Sequence, residues 1–251
     1  MKMNQLFRTS AKRTVIGALL VIAIVCSSIV QPVFATTTQR NTAISTMSSM
    51  RYFSWKPNGD VTIYSKTYLS YVAYTGLPYT QNANTTLSGF ISSPTMMWFS
   101  GGGYFLSQPS DDIGNDCSSA VAISWSAGGS SIIVSDVWTP QMLRAVKATE
   151  NKMAKRGTYT TTYDYTYSMA HSQTKEILYG ALVPGDGCFY KTSSGGHAIL
   201  ITGVNTSTKK VTYIEQIGTN LSTNKSTWTS GDKTFQQLYD AGYVPIRPTD
   251  I

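Results

Sequence analysis

Residues 187–217 read GCFYKTSSGGHAILITGVNTSTKKVTYIEQI. Apolar and polar positions alternate through most of this stretch, and β-branched and aromatic residues are frequent. The spacing predicts three consecutive strands, at 187–192, 197–204 and 210–217. Asn205 to Lys209 is a short polar loop, so the last two strands are expected to be antiparallel neighbours. Upstream, Ser172 to Leu182 reads as a helix closed by Pro184-Gly185-Asp186-Gly187. Downstream, KTFQQLYDAG (233–242) reads as a helix and YVPIRP (243–248) as a strand. Helices precede the strands, and no internal repeat interrupts the order. The expected class is α+β, with helices packed on an antiparallel sheet.

Further upstream the pattern is mixed. TTTQRNTAISTMSSM (36–50) is polar and aperiodic, and reads as a flexible arm. Residues 60–80 open as a strand and turn helical around Lys66 to Thr75. Residues 87–105 look helical in part and break at Gly101-Gly102-Gly103. GNDCSSAVAISW (114–125) becomes helical from Ser118, and Gly128-Gly129 stops it. A further helix is expected from the Thr139-Pro140 cap to Gly157, with Met142, Ala145, Val146 and Met153 on its apolar stripe. TYTTTYDYTY (158–167) alternates as a strand with Tyr159, Tyr163, Tyr165 and Tyr167 on one face.

The chain opens with Lys2, Arg8, Lys12 and Arg13 and no acid, followed by the apolar run from Val15 to Cys26 and by Val33-Phe34-Ala35. These are the three regions of a secretory signal peptide cleaved near Ala35. The apolar run is shorter than the ~18–20 residues that span a bilayer. Ala23-Ile24-Val25 before Cys26 does not suit lipoprotein processing. The domain plan is a leader at 1–35, the flexible arm at 36–50 and a single domain at 51–251. No stable membrane insertion is expected after cleavage. The net charge is +7, and the four leader cations account for +4 of it, leaving +3. That balance gives no ground for nucleic-acid binding.

Two cysteines remain beyond the leader, Cys117 and Cys188. A thiol reacts as thiolate, and a helix N-terminus stabilises that anion. Cys117 occupies such a position. A nucleophilic thiolate needs an imidazole partner. Of the two histidines, His197 follows Ser193-Ser194-Gly195-Gly196 and opens a strand, where a ligand can approach closely. His171, near a helix start, is the weaker candidate. The imidazole needs an orienting group in turn. Glu215 and Gln216 on the neighbouring strand both qualify, because a one-residue slip in register exchanges which of them faces His197. Two histidines without a nearby ligand cluster make no zinc signature, and no phosphate-binding loop is present. Neither a metal nor a cofactor is expected.

DCSSAVAISW, PGDGCFYKTSSGGHAILITGV and KVTYIEQ, in that order, resemble the papain-like cysteine peptidases of bacterial cell-wall turnover, the NlpC-type peptidases and the related CHAP amidase/peptidases. Asp116-Cys117-Ser118 matches the nucleophile motif, Pro184-Gly185-Asp186 the turn before a strand, and Gly196-His197 the opening of the next strand. Ile214-Glu215-Gln216 matches a strand end at which the Glu orients the histidine, so the resemblance favours Glu215 over Gln216. The family's following Asn falls at Ile217 and is missing. A family tyrosine ahead of the cysteine, near the oxyanion site, has its counterpart at Trp98, in Trp98-Phe99-Ser100-Gly101-Gly102.

The resemblance implies a papain-like fold and a secreted cysteine hydrolase. Its Cys117, His197 and Glu215 would cleave an amide in the peptide stem of peptidoglycan. Gln216 is the fallback orienting group and Trp98 a candidate oxyanion donor. The partner implied is peptidoglycan or a cell-wall peptide. Two other readings stay open. One is a non-catalytic secreted or surface binding protein with a Cys117–Cys188 disulfide and a tyrosine-rich face. The other is a papain-like acyltransferase. Which amide is cut and the oligomeric state are left open by the sequence.

Overall fold

Three strands form where residues 187–217 place them. In the computed structural model they are β8 (Gly187–Thr192), β9 (Gly195–Asn205) and β10 (Lys210–Gln216). Both pairs run antiparallel, and the loop between β9 and β10 is the expected one. The structure describes residues 36–93, 96–99, 103–106, 113–132, 153–155, 175–192, 195–218, 226–248 and 251. The leader, most of the helix expected at 139–157, the tyrosine strand at 158–167 and His171 lie outside the described residues. So does the stretch 172–174 that opens the helix expected at 172–182.

The elements ahead of the three strands are α1 (Thr37–Tyr52), β1 (Ser54–Pro57), β2 (Val61–Ile63), β3 (Lys66–Tyr68), β4 (Tyr74–Thr75), α2 (Leu87–Ser92), β5 (Met96–Phe99), β6 (Gly103–Leu106), α3 (Cys117–Ala127), β7 (Met153–Lys155) and α4 (Lys175–Gly180). Behind them come β11 (Trp228–Thr234), α5 (Phe235–Asp240) and β12 (Val244–Pro248). The main sheet is antiparallel throughout, in the order β11-β10-β9-β8-β12-β7. A second sheet has the order β4-β1-β6-β5, in which only β1 and β6 run parallel. The chain is an α+β protein, and Phe34–Ile251 forms one compact unit.

Several expectations are corrected. Residues 36–50 are not a flexible arm. Thr36 and Gln39 close a capping box, in which the Thr36 side chain accepts from the Gln39 N–H and the Thr36 N–H donates to Gln39 Oε1. Ala43, Met47 and Met50 then make a buried stripe on α1. The polar composition hid this stripe because only one face of the helix is apolar. The helix expected around Lys66 to Thr75 is two short strands, β3 and β4. Their tyrosines Tyr68 and Tyr74 pack with Trp55, and a strand surface suits such aromatic residues. Among the described residues of 87–105, helix is confined to α2, and β5 and β6 pair antiparallel. Met153, placed on a helical stripe, instead begins strand β7 against β12. The helix expected from Lys233 starts at Phe235, because β11 continues to Thr234 and pairs Lys233 with Val211.

Every residue of α3 from Cys117 to Trp125 is buried. This stretch is covered on all sides, because α3 lies between α1 and the face of β9 and β10, and its buried Ser118 and Ser124 hydroxyls donate to Asp116 Oδ1 and the Ala120 carbonyl. Its close approach to α1 depends on Gly128, where a side chain would come within 2.7 Å of the Gln39 carbonyl. Trp125 fixes the sheet side by donating from its indole N–H to the Gly185 carbonyl at 2.8 Å.

Asp186 ties three distant parts of the chain together. It is fully buried. It accepts from Arg247 Nε at 2.7 Å and Nη2 at 2.8 Å, from Arg40 Nη1 at 3.1 Å and from the Val183 N–H at 2.8 Å. Arg40 also donates to the Ile251 carbonyl at 3.0 Å. Removing one partner from such a cluster leaves buried charge uncompensated. Asp186→Ala is therefore expected to cost about 3 kcal/mol, read as a lower urea midpoint with an unchanged slope.

Candidate active site

Asp116 is the N-cap of α3. Its carboxylate accepts from the Ser119 N–H at 2.7 Å and from the Ser118 hydroxyl at 3.0 Å, while the Ser119 hydroxyl accepts from the Asp116 N–H at 2.8 Å. This double cap makes Cys117 the first helical residue. The backbone N–H there has no carbonyl one turn earlier to bond. Cys117 is 5% exposed and unbridged, and Cys188 is also a free thiol, so the disulfide weighed above does not form.

His197 stands near the start of β9, opposite Tyr190 of β8. Its Nε2 lies 2.7 Å from Glu215 Oε2. Burial opposes charging of the imidazole, but hydrogen bonds to Cys117 and Glu215 and their negative charge outweigh it, raising the His197 pKa to about 9. One ring therefore responds to both the thiol of α3 and the carboxylate of β10.

A β-bulge decides which strand residue reaches the ring. From Lys210 to Thr212, β10 pairs with Asn205 to Gly203. Tyr213 then pairs with Ile201, leaving Thr202 as an extra residue on β9. Beyond the bulge Ile214 faces Leu200. Continuing that register sets Glu215 opposite Ile199, on the sheet face of His197. Without the bulge Gln216 would take that face. Gln216 points elsewhere. It is fully buried, and its amide donates to the Leu77 and Pro78 carbonyls, both at 3.1 Å.

Those two bonds belong to a strut that the sequence reading missed. The Leu77 carbonyl also accepts from Thr227 Oγ1 at 3.2 Å and from Trp228 Nε1 at 2.8 Å. Gly76 has φ +84°, and a side chain there would strike the Trp228 ring. Pro78 to Thr80 runs alongside Asn115. The Asn115 N–H donates to the Pro78 carbonyl, and the Thr80 N–H to the Asn115 carbonyl. Tyr79 is thereby set beside the residues leading into Cys117. Burial raises the Tyr79 hydroxyl above the ordinary phenol range, and the charges of Cys117 and Asp116 add to this. Tyr190 is shifted in the same direction by burial and by the Cys117 and Glu215 charges. Two tyrosines therefore flank the Cys-His pair. Tyr190 is the cross-strand partner of His197, a pairing the sequence reading did not draw. Tyr79 was not legible, because it arrives through an isolated bridge rather than a periodic element.

The backbone of Trp98 lies on β5 opposite Tyr104. Its side chain, and with it the oxyanion role considered above, falls outside what is described. Among the described residues no group of three or more His, Cys, Asp and Glu side chains is placed to hold a metal ion, and no helix is long and apolar enough to cross a membrane. No family model, curated protein or solved structure matches the chain.

The two thiols differ in setting. Cys188 is fully enclosed on β8, and burial, with the Asp186 charge, pushes its thiol well up. Thiolate is the reactive form. Iodoacetamide at neutral pH is expected to label Cys117 in the folded protein and Cys188 only after unfolding. Peptide mass spectrometry reads the two sites separately.

Proposed function

We propose that this protein is a papain-like cysteine hydrolase, secreted and acting on an amide bond in the peptide stem of bacterial peptidoglycan. The observation that carries the chemistry is the 2.7 Å contact of the His197 ring with the Glu215 carboxylate, together with the electrostatic influence on that ring of Cys117 at the start of α3. The substrate class and the export rest on the sequence resemblance and the leader pattern.

In this reading His197 takes the Cys117 proton, and the thiolate attacks the amide carbonyl carbon. The developing oxyanion is met by the backbone N–H of Cys117. The C–N bond breaks as the imidazolium gives its proton to the departing amine, leaving a thioester. His197 then takes a proton from water, which attacks the thioester. The acid leaves and Cys117 regains its proton. Glu215 keeps the ring oriented and favours its charged form. Trapping of the thioester by an added amine, in place of water, would mark an acyltransferase.

Two outcomes are expected. Cys117→Ala removes release of soluble fragments from purified cell walls while circular dichroism is unchanged. Persistence of lysis in that variant would exclude the mechanism. The second outcome concerns pH. The pair needs a protonated ring, and the His197 pKa is raised to about 9, so kcat/KM should fall as pH rises through about 9. Glu215→Gln removes a charge that raises the ring's pKa, so the alkaline limb moves down towards the ordinary imidazole value of about 6.5. An unmoved limb would remove Glu215 from the proposed role.

A further inference from the structure

Tyr64 is the first residue of the two-residue loop between β2 and β3, since Ile63 pairs with Lys66 across it. Its φ is 55°. That position in such a loop favours glycine, which has no Cβ to crowd the backbone. A tyrosine there works against the local backbone, and an outlier of this kind points to a side chain kept for another reason.

The side chain has a defined place. Its ring packs edge-on against Tyr79, with centroids 5.7 Å apart and planes at 66°. Its hydroxyl donates to Gln81 Oε1 at 3.0 Å, and Gln81 Nε2 donates to the Tyr79 hydroxyl at 3.0 Å. Tyr64, Gln81 and Tyr79 thus form a closed set. Tyr79 is 7% exposed and sits beside the approach to Cys117, whereas Tyr64 is 38% exposed. The set runs outward from the thiol to solvent, ending in an accessible aromatic ring fixed at both edge and hydroxyl.

We propose that Tyr64 is a substrate-binding residue on the surface outside Tyr79 and the approach to Cys117, receiving the apolar face of a pyranose ring. A tyrosine offers a flat apolar surface with a polar end, and the neighbouring Gln81 amide can meet sugar hydroxyls. The inference rests on the hydrolase reading and deepens it. The wall fragment engaged at this site carries its sugar, beyond the peptide alone.

The test uses the otherwise unaltered Cys117→Ala protein, which cannot turn substrate over, and the same protein with Tyr64→Gly. Calorimetry measures binding of a disaccharide–peptide wall fragment and of the matching sugar-free peptide. Tyr64→Gly is expected to weaken the sugar-bearing fragment roughly three- to tenfold, as befits loss of one aromatic contact. It should leave the sugar-free peptide and the circular dichroism unchanged. Equal weakening of both fragments, no weakening, or no binding of either fragment would each overturn the assignment. The two proposals fail separately. Sugar binding that depends on Tyr64, in a protein whose unsubstituted form lyses no wall, would sink the hydrolase reading alone. Lysis abolished by Cys117→Ala, with Tyr64→Gly binding unchanged, would sink this one alone.

Discussion

A helix with no solvent-facing side must be enclosed before it can persist, and α3 is such a helix. Its burial between α1 and the β9–β10 face is the constraint from which the rest of the site follows. Once α3 is enclosed, the Asp116 cap fixes where it begins. The beginning carries Cys117 to the part of the sheet where His197 stands, and the charge of each group acts on the other. Apolar packing thus delivers two polar groups to each other, although they are far apart in sequence. Packing sets positions within narrow limits because protein interiors are dense.

The sheet contributes a second kind of control. Strand side chains alternate with a period of two, so a single extra residue changes the face of everything beyond it. Thr202 is that extra residue on β9. It gives Glu215 to the histidine and leaves Gln216 to hold the Leu77–Pro78 strut. Adjacent residues serve different structures because they face opposite sides of the strand, and the register change between Thr212 and Tyr213 decides which of them meets the histidine. A side chain at Gly203 would come within 2.7 Å of Thr212 Oγ1, so the bulge also needs a small residue at this point.

Much of this was readable in advance, for reasons that differ by region. The strands at 187–217 were legible because a half-buried strand writes its period into the sequence. Cys117 at a helix start and His197 at a strand start followed from local signals. The choice between Glu215 and Gln216 was not legible by period, since a bulge leaves no compositional mark; only the family resemblance favoured Glu215. α1 was missed although its Thr36-x-x-Gln39 box was present, because hydroxyl-rich composition outweighed the apolar spacing of Ala43, Met47 and Met50. The short strands from Ser54 to Thr75 were misread in part because three-residue segments are too brief to show any period. Tyr79 depends wholly on tertiary bonds from Gln216, Thr227 and Trp228 to the strut beside it.

The Asp186 cluster has a consequence for how the chain can mature. Arg40 lies 146 residues before Asp186, and Arg247 lies 61 after it. As a ribosome makes the chain from its N-terminus, α1 emerges before α3 and the β9–β10 face it packs with, and the Arg40–Asp186–Arg247 cluster cannot close until the final strand appears. The cluster therefore waits for the last strand. Closure of contacts this distant is slow. Such a polypeptide completes its buried ionic cluster only when both ends have arrived.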